Sequence, residues 1–283
     1  MKTSPGRKTF IVLNALFIIL VCVAIMVPIW MVVVTSLSTD AVAAKEGFVL
    51  IPKGIEFESY HKIFVSRGYM GAFTRSVWIT LAATAVSMIL TTMLAYGLSQ
   101  SGLMFRTTFN NLILITMVID GGIIPFYMVV RNLGMIDTYA SLIIPMAIQT
   151  YNLILMRNFF KGIPESLMES ARLDGASEMR TMVSIVLPIS VPIIAAITLF
   201  YLVSHWNRYF EVIMFINDSK KFTLQVLLRQ MLFQSESSEG TASILFNNFK
   251  MAVMVMTMLP ILIVYPFVQK YFISGLMLGS VKG

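Results

Sequence analysis

FIVLNALFIILVCVAIMVPIWMVVV, residues 10–34, runs for 25 positions without a charged side chain. A helix rises about 1.5 Å per residue and the hydrocarbon core of a bilayer is about 30 Å thick, so roughly 20 apolar residues cross it. Lipid offers no hydrogen bonds to the backbone, and a helix satisfies its own. Lys2, Arg7 and Lys8 come before the run. That resembles the charged start of a secretory leader, but the apolar stretch is too long and lacks a small-residue cleavage site. It reads as a retained first transmembrane helix. Cys22, the lone cysteine, lies inside it, where a packing role is expected.

Five more apolar stretches follow, at 77–98, 112–130, 140–156, 182–203 and 251–268. Composition agrees: 57% of the 283 residues are hydrophobic and 12% charged, with a mean hydropathy of +0.82. Soluble domains carry about 25% charged residues. The expected fold is therefore an all-α integral membrane protein with six transmembrane helices. Six spans put both termini on one side. The wholly basic N-terminal flank makes that side cytoplasmic, because short basic segments stay inside. The expected organisation is a cytoplasmic N-terminal segment (1–9), the first helix (10–34) and an extracytoplasmic segment (35–76). A core of five spans (77–268) and a cytoplasmic C-terminal tail (269–283) follow. Within the core, 160–181 is a polar cytoplasmic loop, and 207–250 is extracytoplasmic. The segment 36–76 is expected to carry short helices. In 207–250, Phe222, Leu224, Val226, Leu227 and Met231 surround Gln225 and Arg229 at a spacing that suits an interfacial amphipathic helix, with a polar loop at 234–240. The net charge of +7 comes without a basic run or an aromatic-studded basic patch, so membrane orientation explains it better than nucleic acid does.

Motifs for chemistry on this chain are missing. It has no Gly-rich loop ending in Gly-Lys-Ser/Thr for nucleotide, and no Gly-x-Ser-x-Gly elbow. His61 and His205 stand far apart, outside any metal-binding spacing. The polar stretch Pro164-Glu-Ser-Leu-Met-Glu-Ser-Ala-Arg-Leu-Asp-Gly175-Ala-Ser-Glu-Met-Arg180 is more informative. Pro164 suits a first helical position, and Glu165 and Glu169 favour the positive end of that helix. Leu167, Met168 and Ala171 share a face, and Glu169 and Arg172 are spaced for an i, i+3 ion pair. Gly175 stops the helix by adopting the left-handed cap, and Ser177 is placed to cap the next one. Two readings stand: an ordinary surface helix, or a knob seated in a groove of a cytoplasmic partner.

Glu169-Ser170-Ala171-Arg-Leu-Asp174-Gly175-Ala176, followed by Ile185-Val-Leu187-Pro188 and Pro192, resembles the "EAA" loop of ABC importer permeases. Ser170 stands where the pattern's first Ala would be, and Met182 where an aromatic is common. Over most of 70–283 the chain is similar to the carbohydrate branch of that family, closest to oligo- and polysaccharide (alginate-type) permeases. Gly121-Gly-Ile-Ile-Pro125, residues 152–160, His205-Trp206-Asn207 and residues 269–275 carry this similarity. The resemblance implies a cytoplasmic coupling helix between spans 4 and 5, with Glu169, Ser170, Ala171, Asp174, Gly175, Ala176, Leu187 and Pro188 as ATPase-coupling residues. It implies a non-enzymatic subunit without a cofactor of its own, with ATP and Mg used by the partner ATPase. The implied partners are a second homologous permease, two ATPase subunits, an extracytoplasmic solute-binding protein and a carbohydrate substrate, in the bacterial inner membrane.

Polar groups inside spans are expensive and face a cavity or a neighbouring helix. Asp120, beside Gly121 and Gly122, is a substrate-path candidate or a structural bond to another helix. Gln149, Tyr151 and Asn152, with Trp206 and Asn207, offer the aromatic faces and amides that sugars need; Trp206 in the interfacial aromatic belt is the other reading. Pro188, Pro192, Pro260 and Pro266 are expected kinks. An importer of a non-sugar solute, or an intramembrane lipid- or glycan-processing enzyme using Asp120 with His205, are the alternatives.

Overall fold

The computed structural model describes residues 5–39, 42, 49–52, 54–119, 121–236 and 247–280, and these form helices without a strand. In chain order they are α1 (Pro5–Leu37), α2 (Glu58–Val65), α3 (Arg67–Ser99), α4 (Arg106–Val118), α5 (Ile123–Asn132), α6 (Ala140–Ile143) and α7 (Thr150–Lys161). Then come α8 (Glu165–Leu173), α9 (Glu178–Ile189), α10 (Val191–Trp206), α11 (Phe210–Phe215), α12 (Leu224–Glu236) and α13 (Asn247–Ser280).

Among the described residues three helices are long and apolar enough to span: Gly6–Leu37, Arg67–Ser99 and Asn248–Phe267. Two bent pairs, α4 with α5 and α9 with α10, raise the number to five if each is one span. The fourth expected span is different. Instead of one helix over 140–156, α6 ends at Ile143 and α7 starts at Thr150, with Pro145 between them. Proline cannot donate a helical hydrogen bond, and it pushes the residue before it out of helical geometry. The third expected span breaks at Gly122, whose φ of +83° suits a residue without a Cβ. The fifth turns by 86° at Ser190, between Pro188 and Pro192, so these prolines do bend the chain. Just before that bend, Met182–Val186 widen into a π-type turn. Around Pro260 and Pro266 α13 is continuous, and it carries on through the expected tail as far as Ser280.

The chain packs as two compact units. The first comprises residues 1–70 and 228–259. Most of α1 faces outward, Cys22 included, so that thiol is not packed within the chain as expected. The end of α1 is anchored: Val34, Thr35, Ser36 and Ser38 are buried, and the Ser36 hydroxyl lies 2.6 Å from the Tyr60 hydroxyl. Asn248 donates to the Ser38 carbonyl, and Tyr69 meets Phe249 edge to face with centroids 5.2 Å apart.

The second unit comprises residues 71–227 and 260–283. Its organising element is α3, which buries Ser76, Thr80, Ala83, Thr84, Ser87, Thr91 and Ala95 along one face at helical spacing. Small and hydroxyl side chains let helices approach closely where lipid supplies no hydrophobic drive for association. One apolar cluster surrounds the Ile79 end of α3, with Val130, Leu142, Val212, Phe215, Ile216 and Val226. A second surrounds the Ala95–Leu98 end, with Leu153, Met156, Phe160, Met168, Val186, Ile197 and Tyr201. Val226 belongs to the first cluster and Leu224 is 1% exposed, so this face of the expected interfacial helix is buried in protein rather than in lipid.

Candidate functional site

The polar stretch folds into α8, a left-handed turn, and the start of α9. Pro164 precedes the helix as its cap, with Glu165 as the first helical residue, one position later than the sequence suggested. Gly175 has a φ of +74°. Its N–H donates to the Arg172 carbonyl at 3.0 Å, and that of Ala176 to the Ala171 carbonyl at 2.9 Å. This pair of bonds is the Schellman closure, which satisfies carbonyls that the end of a helix leaves open. Asp174 is the last capping position. The Ser177 hydroxyl accepts from the Arg180 N–H at 3.3 Å, so the following helix is capped as expected.

One face of α8 buries Met168 and Ala171 against the second apolar cluster and the adjoining protein. Leu167, expected on that face, is instead exposed, as are Glu169 and Ser170. Leu173 is 89% exposed and, with Met179 and Val183, leaves apolar side chains standing free around the glycine turn. Sequence reasoning did not single out Leu173. Its signal was an apolar residue off the buried stripe of a polar helix. Leu187 packs against the second cluster and Pro188 is the residue after it, so these two shape the root of the turn rather than its tip.

Three side-chain contacts fasten this unit to the end of α3. The Tyr96 hydroxyl donates to Glu178 Oε2 at 2.7 Å, and the Ser101 hydroxyl donates to Glu165 Oε1 at 2.8 Å. Arg172 donates from Nη2 to Gln100 Oε1 at 3.0 Å and from Nε to Glu178 Oε1 at 3.1 Å. Arg172 thus bridges α8 to α9 instead of pairing with Glu169 along its own helix. None of Tyr96, Gln100 or Glu178 was expected to matter, because they lie far apart in sequence and only folding brings them together.

The expected substrate-path residues separate into two kinds. Gln149 and Asn152 belong to a buried polar seam between α3, α7 and α10. Gln149 donates from its backbone N–H to the Tyr201 hydroxyl at 3.1 Å and from Nε2 to Ser204 at 2.8 Å, and Asn152 donates to Gln149 Oε1 at 3.1 Å. Tyr201 in turn lies 2.6 Å from the Thr91 hydroxyl, and His205 Nε2 lies 3.0 Å from that of Ser87. The His205 ring stacks on Tyr201, which sets it into the helix packing. Trp206 is 4% exposed and meets Phe73 edge to face at 6.1 Å, inside protein rather than at the rim of a membrane belt. Tyr151 and Asn207 are exposed, and Asn207 Oδ1 accepts from Gln225 at 3.5 Å. Asp120 lies outside the described residues. No group of three His, Cys, Asp or Glu side chains among the described residues is arranged to hold a metal ion.

At the Ile79 end of α3, Asp137 forms a latch. Its φ is +58°; Oδ1 accepts the N–H groups of Asn217 and Asp218, and Oδ2 accepts from Lys221 Nζ at 2.6 Å. The hydrogen-bonded Lys221 ammonium, then the Asp218 N–H, hold the carboxyl below its ordinary range, and the bond to Asp137 holds Lys221 above its own.

Comparison with known proteins decides the family. The family described as "binding-protein-dependent transport system inner membrane component" matches residues 1–277. The chain belongs to this family. It is similar to the polygalacturonan/rhamnogalacturonan transport system permease protein YtcP of Bacillus subtilis (strain 168), with 41% identity over 274 residues, covering 94% of this chain and 96% of the relative. Protein LplC of the same organism is 38% identical over 289 residues, covering 100% of this chain and 98% of that one. A chain from the crystal structure of a bacterial ABC transporter involved in the import of the acidic polysaccharide alginate superposes with a TM-score of 0.88 at 30% identity, covering 96% of this chain and 99% of that one. The protein is therefore an all-helical, multi-pass ABC permease, a transport subunit rather than an enzyme. Its resemblance to importer permeases, drawn from the EAA-like loop and 70–283, holds over nearly the whole chain.

Proposed function

We propose that this chain is one of two transmembrane permease subunits of an ATP-driven importer that carries an oligo- or polysaccharide inward by alternating access. The carrying observation is the α8–Gly175 knob. It is a short helix closed by a left-handed glycine, with exposed Leu167 and Leu173 on its free side and hydrogen bonds to α3 and α9 on its rooted side. That arrangement suits a part that must be gripped from outside and must pass movement to the helices behind it. In this reading the chain has six spans and both termini in the cytoplasm of a bacterial inner membrane, with α8 as the coupling helix between spans 4 and 5. Glu169, Ser170, Ala171, Asp174, Gly175 and Ala176 form the knob, and Leu187 and Pro188 its root. A partner ATPase, using ATP and Mg, draws the knobs of two homologous permeases together and opens the pair toward a loaded extracytoplasmic solute-binding protein. Hydrolysis returns the pair to the inward-open state.

The proposed cargo class is supported by the relatives' transport of polygalacturonan/rhamnogalacturonan and of alginate. On this chain Tyr151 and Asn207 are the exposed candidates for the sugar path, and Asp120 is a further candidate from the sequence. Gln149, Asn152 and Trp206 would act from behind it, holding the path's wall. In proteoliposomes holding the assembled transporter, Glu169→Lys should lower binding-protein-dependent uptake of uronate oligosaccharides at least tenfold while the ATPase still turns over. Unchanged uptake at an unchanged ATP cost in that variant would sink the coupling role. Uptake of amino acids or phosphate in place of any oligosaccharide would sink the cargo assignment.

A further inference from the structure

Beside the rooted side of α8 lies an open cleft of about 210 Å³, lined by Ser99, Gln100, Ser101, Arg106, Lys161, Arg172 and one carboxylate, Glu165, with the buried Phe160, Ile163 and Met168. A water occupies about 30 Å³ in the liquid, so the space accommodates a group several times that size. Arg172 is committed to Glu178 and Gln100, and Glu165 to Ser101. Arg106 and Lys161, by contrast, have no side-chain hydrogen bond or ion pair among the described residues. Arg157, one helical turn before Lys161 on α7 and outside the cleft's lining, is close enough to Arg106 for the two charges to repel. Its Nε is buried without a hydrogen-bond partner. Two cations that face one cleft without an acceptor among the described residues offer an anion charge-assisted hydrogen bonds.

We infer that this cleft binds the phosphodiester headgroup of an anionic membrane phospholipid. The inference rests on the reading of α8 as cytoplasmic, which puts the cleft at the inner leaflet. Basic pockets between transmembrane helices on that side are suited to such headgroups. The occupant is a lipid rather than a free anion because apolar surface leads away from the cations. Phe105, Phe109 and Leu112 are exposed beside and along α4 from Arg106 at i, i+4 and i+7 spacing, a path for acyl chains. Arg106 supplies a planar fork to the phosphate oxygens and Lys161 a compact charge. The headgroup would cross-link the ends of α3, α4 and α7 where α8 is rooted.

The test uses the assembled transporter, purified from vesicles of phosphatidylcholine with and without phosphatidylglycerol, with bound lipid read by native mass spectrometry. The natural chain should retain phosphatidylglycerol, and the double variant Arg106→Gln/Lys161→Gln should lose at least tenfold of it, while Arg106→Lys, which keeps the charge, should recover most. Equal retention by the natural chain and the double variant overturns the proposal. So does inorganic phosphate displacing the lipid-dependent signal with phosphatidylcholine retained equally well, since the site would then take a free anion. Lipid retention is measured without turnover, so a failed coupling role, seen as normal uptake in Glu169→Lys, leaves this result standing and distinguishable.

Discussion

Gly175 is held at a φ of +74°, and a Cβ built on it would meet nothing within 4 Å in this chain. The fold itself therefore resists substitution only through backbone strain, about 1–2 kcal/mol for a residue forced into the left-handed region. Asn tolerates that region better than a β-branched residue does. Gly175→Asn should then assemble and transport nearly as the natural chain does. Gly175→Val should still assemble, as seen by co-purification of the ATPase, yet show ATPase activity separated from uptake. Normal uptake by Gly175→Val would mean that the turn touches nothing. Tyr201 makes a different prediction. Its hydroxyl is fully buried and serves both Thr91 and the Gln149 N–H. Tyr201→Phe leaves two polar groups without their partner, a loss of about 1 kcal/mol given the modest worth of hydrogen bonds between membrane helices. Thermal unfolding in detergent should show a lower midpoint, and adding Thr91→Val should cost less than its effect alone, because the pair acts as a unit.

At the scale of elements, α8 acts as a part only because it is tied down. Met168 and Ala171 give it a seat, and the Tyr96–Glu178–Arg172–Gln100 chain gives it fixed links to α3 and α9. Arg172 and Glu178 are both roughly half exposed, so their ion pair adds little stability by itself. Its value lies in geometry: the links tie α8 to α9 and to the end of α3, and under the proposed coupling role they are the route from the exposed Leu173. Tyr96→Phe combined with Glu178→Gln should leave the unfolding midpoint within a few degrees, as expected for a partly exposed network. The same variant should raise the ATP hydrolysed per molecule of solute taken up. A stoichiometry equal to that of the natural chain would show that the apolar seat alone transmits the movement. The π-type turn at Met182–Val186 and the 86° bend at Ser190 lie directly behind these links, where a local change of helix geometry would redirect α10.

Across the second unit, α3 connects two chemically unlike ends, the α8 root at one and the Asp137–Lys221 latch at the other. The latch has a defined pH response. Asp137 titrates below its ordinary value near 3.8, so its stabilisation is complete above that value and disappears as pH falls through the lower folded one. Lys221 titrates above its ordinary 10.5, so its contribution is complete below that value and is lost as pH rises through the higher folded one. Between about pH 5 and pH 9 the latch should be insensitive to pH. The difference in unfolding midpoint between the natural chain and Asp137→Asn should be constant across that window and shrink in acid. A difference that grows steadily from pH 8 to pH 5 would contradict the assignment.

Much was legible in the sequence because the bilayer imposes simple demands. The charge-free run at 10–34, the apolar stretch at 77–98 and that at 251–268 had to become helices, since no other local structure satisfies its backbone in lipid. Gly175 and Ser177 announced a helix end and a new start, because capping is a contest among neighbouring residues that the sequence spells out locally. The intended partners of polar groups were not legible. Gln149 and Asn152 looked like groups awaiting a sugar, and folding gave them to Tyr201, Ser204 and each other. Nor did composition reveal that the run at 140–156 would break at Pro145, or that Arg172 would leave Glu169 for Glu178 across a turn. Hydropathy and capping are properties of residues and their neighbours, and sequence carries them whole. Which hydroxyl on α3 faces which group on α10, and which cations are left over around a cleft, depend on helix rotation and separation, and those are set only when the helices pack.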